Sequence, residues 1–368
     1  SRGSKGPEAL AAYQRAYQLG KAIRDVDRLF PTLVGLESMA VVKTTYVQSQ
    51  HIRGKLLNYA QLSQNSLHLA YAYCALSLNY AMQGHYLIAH DYAQACQRLP
   101  LPPYRSRRHP LYSIDPVLYC QRWHAILLMD LGYPEQALAL SQAVLDRTHE
   151  LGDPYSVGLG LFTVLHVSRY CLPPEATYEN AQALLTYAQQ QGQKRREQFA
   201  ALFLIWAQVR LGESTNCLAR LDAMRVDLVA SEMHQGYSLI LCGAADVCYY
   251  AGHIEAGLAF LQEAEAWIEK TGERISEPTL HWHRGRLLHR QGDLAQSETC
   301  LVRALTLAHQ LGTKGIELRV ATSLSRLWQE QGEREQARRL LLPIYYGFTE
   351  GFDTAELQEA KALMEQLA

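Results

Sequence analysis

The stretch QGDLAQSETCLVRALTLAHQLG, Gln291 to Gly312, carries two turn glycines twenty residues apart, Gly292 and Gly312. Between them apolar residues recur at every third or fourth place, the spacing of one face of an α-helix. A helix with a single apolar face is stable only against a neighbour. What this segment does therefore depends on how often it recurs.

It recurs along the whole chain. Gly212, Gly252, Gly292 and Gly332 are each forty residues after the last, and Gly152, Gly192, Gly272 and Gly312 keep the same period offset by twenty. Backwards, Leu172-Pro173 and Gly132 continue the first series; Gly84 lies 48 before Gly132, which marks an eight-residue insertion, and Thr44 stands forty before Gly84. Eight helix–turn–helix units follow, and internal repeats of this length build a solenoid in which each unit is expected to touch only its neighbours. Five residues past each inner turn stand Ser49, Ala89, Ala137, Thr177, Cys217, Gly257, Ser297 and Ala337, all small, as two crossing helices require. Seven residues before the turn the rule is looser: Ser77, Ala125, Ala245, Gly285 and Ser325 are small, whereas Glu37, Leu165 and Ile205 are not. Strand signals are missing throughout.

Helix starts are expected at Asp115-Pro116, Asp153-Pro154 and Ser276-Glu277-Pro278, where a capping oxygen precedes a proline in the first turn. Asp353 with Glu356 reads as a capping box opening a last helix. Its Ala360, Leu363, Met364 and Leu367 share one face, as the end of a solenoid requires. At the other end EALAAYQRAYQLG reads as the second helix of a pair whose first helix is missing, so a longer parent chain is expected.

Composition narrows the class. The 368 residues are 48% hydrophobic and 19% charged with a formal net charge of −1, which exerts no overall attraction to nucleic acid or membrane. The longest mostly apolar uncharged run, residues 154–168, is short of the ~20 residues that span a bilayer. Eight cysteines are scattered without a CxxC pair, the pattern of small core hydrophobes in a reduced cytoplasmic setting.

The repeat resembles the tetratricopeptide repeat, with Gly285, Gly292, Ser297 and Ala304 at that family's small positions. TGERISEPTLHWHRGRLL, ATSLSRLWQEQGEREQARRLL and PIYYGFTEGFDTAELQEAKALMEQL are similar, more narrowly, to the C-terminal sensor arm of large bacterial signalling proteins. In these a class III nucleotide cyclase, a kinase or a DNA-binding domain is joined to a STAND-type ATPase and then to such repeats, as in LuxR/MalT-like regulators. LGYPEQALALSQAVL and SIDPVLY fit as well; LPPYRSRRHPLYS and Thr44 depart from the pattern. The resemblance implies an all-α superhelical solenoid of about eight tetratricopeptide-like hairpins. It would run as one array over residues 1–368, with a truncated helix at 1–24, a Pro/Arg-rich loop at 98–114 and a capping helix at 353–367.

No chemistry-bearing motif interrupts the array. There is no phosphate loop, no GxGxxG after a strand, and no HExxH, GxSxG or SxxK. His281 and His283 are two apart on a helix and point about 200° apart, so one metal ion cannot be held by both. His85 and His90, five apart, are little better. The expectation is no enzyme, no metal and no cofactor.

In tetratricopeptide arrays the first helix of each pair lines a concave groove, and the resemblance carries those positions onto this chain. They hold Tyr71 and Met82, then Tyr119, Arg122 and Asp130, then Phe162, His166, Arg169 and Tyr170. Further on come Phe199, Trp206 and Arg210, then Asp246, Tyr249 and Tyr250. The last two units present Trp282, Arg286, His289 and Arg290, then Arg319, Arg326 and Glu330. Seven arginines face three acids. Arginine forks suit carboxylates and phosphates, and Trp and Tyr are the usual anchors of interfaces; arginines near helix ends also snorkel and offset the helix dipole. The groove is thus expected to take a protein or peptide partner or a small anionic or polar effector, and to pass a bias to effector domains of the parent. Direct nucleic-acid binding and membrane insertion are not expected. The loop RLPLPPYRSRRHPLY adds Arg105, Arg107, Arg108 and His109, a basic point that four prolines keep out of helix.

Overall fold

The computed structural model describes residues 7–23, 26–42, 46, 50–100, 115–230 and 234–368. Among the described residues there are eighteen helices and no strand. After α1 (Pro7–Ile23) come eight hairpins. They are α2 (Val26–Val42) with α3 (Gln50–Ser63), α4 (Ser66–Met82) with α5 (Tyr86–Gln97), and α6 (Pro116–Leu131) with α7 (Pro134–Leu151). Next are α8 (Pro154–Cys171) with α9 (Pro174–Gln190), α10 (Lys194–Arg210) with α11 (Cys217–Ala230), and α12 (Tyr237–Ala251) with α13 (Ile254–Thr271). The array finishes with α14 (Glu277–Gln291) and α15 (Leu294–Gln310), α16 (Lys314–Glu330) and α17 (Arg334–Tyr346), and the single α18 (Ala355–Leu367). The chain is an all-α solenoid, paired as the tetratricopeptide resemblance implies.

The repeat glycines turn the chain at the expected places. Gly132 and Gly292, for example, adopt φ of 91° and 90°, a left-handed conformation that a side chain strains against, and there they end α6 and α14. Where helices cross, the small positions are buried to the backbone: the Ser297 hydroxyl donates to the Gly285 carbonyl at 2.8 Å, and Ser77 and Ser325 donate to Ala89 and Ala337 at 2.8 and 3.1 Å. A Cβ on Gly285 would stand 2.7 Å from Leu301 Cγ and 3.1 Å from the Ser297 carbonyl. The bulky exception at Glu37 is met by Arg53, whose Nε lies 3.4 Å away in a buried pair. Thr44 and Ser49 lie outside the described residues.

In α15, Ser297, Leu301, Ala304 and Ala308 are buried and the rest of the helix largely meets water, so it forms the outer layer. First helices are sandwiched instead: α14 buries Leu280, Trp282, His283, Gly285, Arg286, Leu287 and Leu288, residues from both of its sides. Asp115 caps α6 through Val117 and Leu118, and Asp153 caps α8 through Ser156. Two expected caps are corrected. The Ser276 hydroxyl takes no bond from α14, and α18 opens at Thr354 instead of Asp353, while Glu356 turns away to Arg319.

The larger correction concerns winding. Units five hairpins apart touch as well as neighbours: α16 packs on α6, and α18 on α8. The amides of Arg274 and Ile275 donate to the Met82 carbonyl at 2.7 and 3.1 Å, and the Tyr86 hydroxyl reaches the Ile275 carbonyl. Tyr46 donates at 3.1 Å to Glu273, whose fully buried carboxylate also accepts from Gly236 and Ser238 at the start of α12. The approach is close because glycines line it. A Cβ on Gly315 would meet the Met129 carbonyl oxygen at 2.3 Å, and one on Gly351 would meet Pro134 Cγ at 2.1 Å. One apolar cluster consequently joins Met82, Tyr86, Trp123 and Leu127 to Ile275, Leu318, Phe348 and Leu357.

Candidate functional site

The inner wall is built by a repeating register. His166, Trp206, Asp246, Arg286 and Arg326 occupy one rung forty residues apart on α8, α10, α12, α14 and α16, and Arg210, Tyr250, Arg290 and Glu330 another. Equivalent positions of successive first helices stand side by side, so residues forty apart meet. Trp206 Nε1 donates to Asp246 Oδ2 at 2.7 Å, Arg286 Nη1 to Asp246 Oδ1 at 2.7 Å, and Arg210 to the Tyr250 hydroxyl. His289 and Glu330 pair at 2.7 Å, and Trp282 Nε1 donates to Ser323 Oγ at 2.8 Å.

Asp246 is the centre of the wall. It is 3% exposed and also accepts from Arg169 Nη2 at 2.5 Å, with His283 Nδ1 at 3.5 Å. Burial alone would raise its carboxyl, but His283, Arg286 and Arg169 together hold it well below the usual carboxylate range. Burial, joined by the repulsion of Arg286 and Arg169, overcomes the pull of Asp246 and lowers His283 to about 3. A fully buried histidine thus stays neutral beside a carboxylate whose oxygens two guanidinium groups already occupy. Arg286 in turn is held above its ordinary value, since Tyr250, Asp246 and Tyr249 outweigh burial.

A second knot closes the wall across the axis. Arg319 donates to Asp130 at 3.2 Å and to Glu356 at 2.7 Å, and its guanidinium lies 3.8 Å from the Tyr170 ring centre. Arg326 pairs with Glu359 at 2.6 Å, both about half exposed. Glu356 and Glu359 on α18 thus supply acids that the count of seven arginines to three left out. Their roles follow from where α18 docks, which no local spacing encodes.

Guanidinium–ring contacts fill the remainder. Arg169 lies 5.2 Å from the Trp206 ring, Arg286 3.8 Å from Tyr249, Arg290 4.5 Å from Tyr249 and Arg210 4.5 Å from Tyr250. Arg122 is 7% exposed and sits 4.4 Å from Trp123 and 4.8 Å from Phe162. His166 makes edge contacts with Phe162 and Phe203 at 5.9 and 5.7 Å, and burial with the nearby Arg122, Arg169 and Arg319 lowers it to about 3.

The sequence-expected wall residues therefore fall into two groups. Arg169, Trp206, Asp246, Trp282 and Arg286 are engaged with one another or with the neighbouring helix, and Tyr170 lies under Arg319. Arg210, Arg290 and Arg326 are exposed, with Tyr249, Tyr250 and His289 half-buried beside them. Arg105, Arg107, Arg108 and His109 lie outside the described residues. Arg195 and Arg196 were missed: they stand in the first turn of α10, off the rungs that the repeat rule selects. Among the described residues no three His, Cys, Asp or Glu are arranged to hold a metal ion, and no helix is long and apolar enough to cross a membrane.

No family model and no curated protein sequence matches the chain. Among solved structures it is similar to the APC/C hetero-tetramer Cut9–Hcn1, at 14% identity and a TM-score of 0.49, over 96% of this chain and 58% of that one. It is also similar to a Signal Transduction ATPase with Numerous Domains protein with a tetratricopeptide repeat sensor from Pyrococcus horikoshii, at 11% identity and a TM-score of 0.44, over 100% of this chain and 56% of that one. Yeast Tom70 follows at 10% identity and a TM-score of 0.28, over 98% and 96%. The chain spans less than three fifths of the length of the first two.

Proposed function

We propose that the chain is a non-catalytic docking arm whose exposed inner-wall rungs receive an acidic segment of a protein partner. The observation that carries this reading is the pair Arg210 and Arg290. They flank Tyr249-Tyr250, each with its guanidinium 4.5 Å from a tyrosine ring, both are exposed, and neither has a carboxylate partner among the described residues. The rings hold each guanidinium from one side, and the donors that the Tyr250 hydroxyl does not take remain for an incoming carboxylate. Next to them the exposed Arg326–Glu359 pair is held by only about 0–1 kcal/mol, so a partner's carboxylate exchanges into it at little cost.

The array acts in this reading inside a larger cytoplasmic signalling regulator, as the resemblance to sensor arms implies. A partner that fits one pitch of the superhelix better than another biases the contact of α16 with α6, and that bias reaches the attached domains. Arg286 is unsuited to testing this, since it holds Asp246. The test is the double substitution Arg210→Ala with Arg290→Ala, titrated calorimetrically with a Glu-rich peptide. Affinity is expected to fall about tenfold or more with helical content unchanged. Equal affinity in the variant and the parent protein would remove the assignment. A small effector is favoured as a second reading by Arg122.

A further inference from the structure

Arg122 has neither an ion pair nor a hydrogen bond among the described residues although it is only 7% exposed, whereas Arg290, which also lacks both, is exposed to water. The Arg122 Nε is buried without an acceptor, and its guanidinium carbon lies 4.4 Å from the Trp123 ring, 4.8 Å from Phe162 and 5.7 Å from Tyr119. Stacking of this kind stabilises a cation by roughly 0.5–2 kcal/mol, well short of what burying an unpaired charge costs. The cost is left standing in the free protein.

The surroundings are cationic. The Phe162 ring lies 4.8 Å from the Phe199 ring, and Arg195 stands 5.1 Å from Phe199 on its own side. Arg196 lies 4.2 Å from the Tyr155 ring and donates at 2.9 Å to Gln193 Oε1; Arg195 donates at 2.5 Å to the Gln235 carbonyl. Gly158 admits this turn of α10: a Cβ there would be 2.1 Å from Gln193 Oε1 and 2.9 Å from Arg196 Cδ. Among the described residues Glu273 acts on Arg195 and Asp153 on Arg196, and both carboxylates hold other groups. Asp153 caps α8, and Glu273 holds Gly236, Ser238 and Tyr46. His166, edge-on to the same Phe162 ring, has a buried Nδ1 without a partner. Burial lowers Arg122 to about 10, with Arg196 and Arg195 adding their repulsion, so it stays protonated at neutral pH.

We propose that Arg122, Arg195, Arg196 and His166, gathered around the Phe162–Phe199 ring pair, form a site for the phosphate group of a small phosphate ester. The assignment rests on reading the inner wall as a binding surface, but it concerns α6, α8 and the start of α10, apart from the Arg210–Arg290 strip. A phosphate monoester brings nearly two negative charges and three acceptor oxygens, which suits three guanidinium groups better than a single carboxylate does. The depth of Arg122 favours a group at the end of a small molecule over one on a folded surface.

The test titrates the whole chain with inorganic phosphate, phenyl phosphate and acetate at constant ionic strength, read by calorimetry and by the thermal midpoint. Saturable binding of both phosphates in the millimolar range or tighter is expected, with a raised midpoint. Arg122→Met should weaken it about tenfold or more, and Arg122→Lys should keep part of it. Without ligand, Arg122→Met should melt no lower than the parent protein, because it removes an unpaired buried cation. A merely structural Arg122 would instead lower that midpoint and leave phosphate binding unchanged, which overturns the proposal. So would absence of saturable phosphate binding, acetate binding as well as phosphate does, or a phosphopeptide binding where phenyl phosphate does not. Arg210→Ala with Arg290→Ala should leave phosphate binding intact, so failure of the docking strip and failure of this site give different results.

Discussion

At the scale of single residues the wall is a set of buried charges whose balance shifts with pH. His166 and His283 titrate near 3 and His124 near 4, against 6.5 in an unfolded chain. Below pH 6.5 the unfolded chain binds protons that the fold refuses, so each of these histidines removes up to about 1.4 kcal/mol per pH unit. Glu37 and Glu356 act oppositely: burial lifts both to about 7 despite Arg53 and Arg319, so between pH 7 and 4.5 the fold binds protons that the unfolded chain does not. The two sets largely offset each other down to pH 4.5. Below it the carboxyl gain is exhausted, the histidine loss continues, and Asp246, held well below its ordinary value, adds its own. Urea midpoints measured against pH should therefore be nearly flat from 7 to about 4.5 and drop steeply below. A midpoint falling evenly from pH 6.5 would contradict the raised carboxyls.

At the scale of elements the crossing of two helices in a hairpin is fixed by small residues, and glycines there differ by their surroundings. Gly285→Ala puts a methyl 2.7 Å from Leu301 Cγ and 3.1 Å from a backbone oxygen, an overpacking expected to cost ~1–3 kcal/mol. The better helix propensity of alanine returns ~1 kcal/mol at most, so the net effect is destabilising. Gly54, exposed in α3 with nothing within 4 Å of its missing Cβ, should respond the other way, with Gly54→Ala gaining about 0.5–1 kcal/mol. Chemical denaturation of the two variants side by side decides the matter; a loss at Gly54 or a gain at Gly285 would contradict the crossing geometry. The small positions were legible from spacing alone. That Gly285 abuts Leu301 and the Ser297 carbonyl follows from the same rule, because partners sixteen and twelve residues apart are fixed by the turn between them.

At the scale of the whole molecule the seam between α6 and α16 sets the pitch, and one glycine admits it. Gly315→Ala places a Cβ 2.3 Å from the Met129 carbonyl oxygen and 3.1 Å from that of Asp130, atoms of helix backbone that cannot step aside. The seam should open, weakening the contact of Arg319 with Asp130 and Tyr170. The radius of gyration from small-angle scattering should rise and the unfolding midpoint fall, by about 1–3 kcal/mol in stability. An unchanged radius together with unchanged stability would mean that the seam is not a determinant of shape. Gly315 escaped notice in the sequence because it lies off both glycine series and inside a helix, where its use depends on a helix five hairpins away.

The sequence by itself determined the hairpin. Its period of forty, its left-handed turn glycines, its small crossing positions and its one-sided outer helices all concern residues within one repeat of each other, where the geometry of a helix and a turn leaves little choice. The same period aligns equal positions of successive repeats into rungs, and the tetratricopeptide resemblance is what assigned those rungs to a concave wall. What the tertiary structure decided is which wall residues remain available. Arg319 finds Asp130 189 residues away, and α18 brings Glu356 and Glu359 to arginines that the repeat rule left unpaired. Small rotations from one hairpin to the next accumulate until distant units meet, and that sum is a property of the whole array and of no single segment.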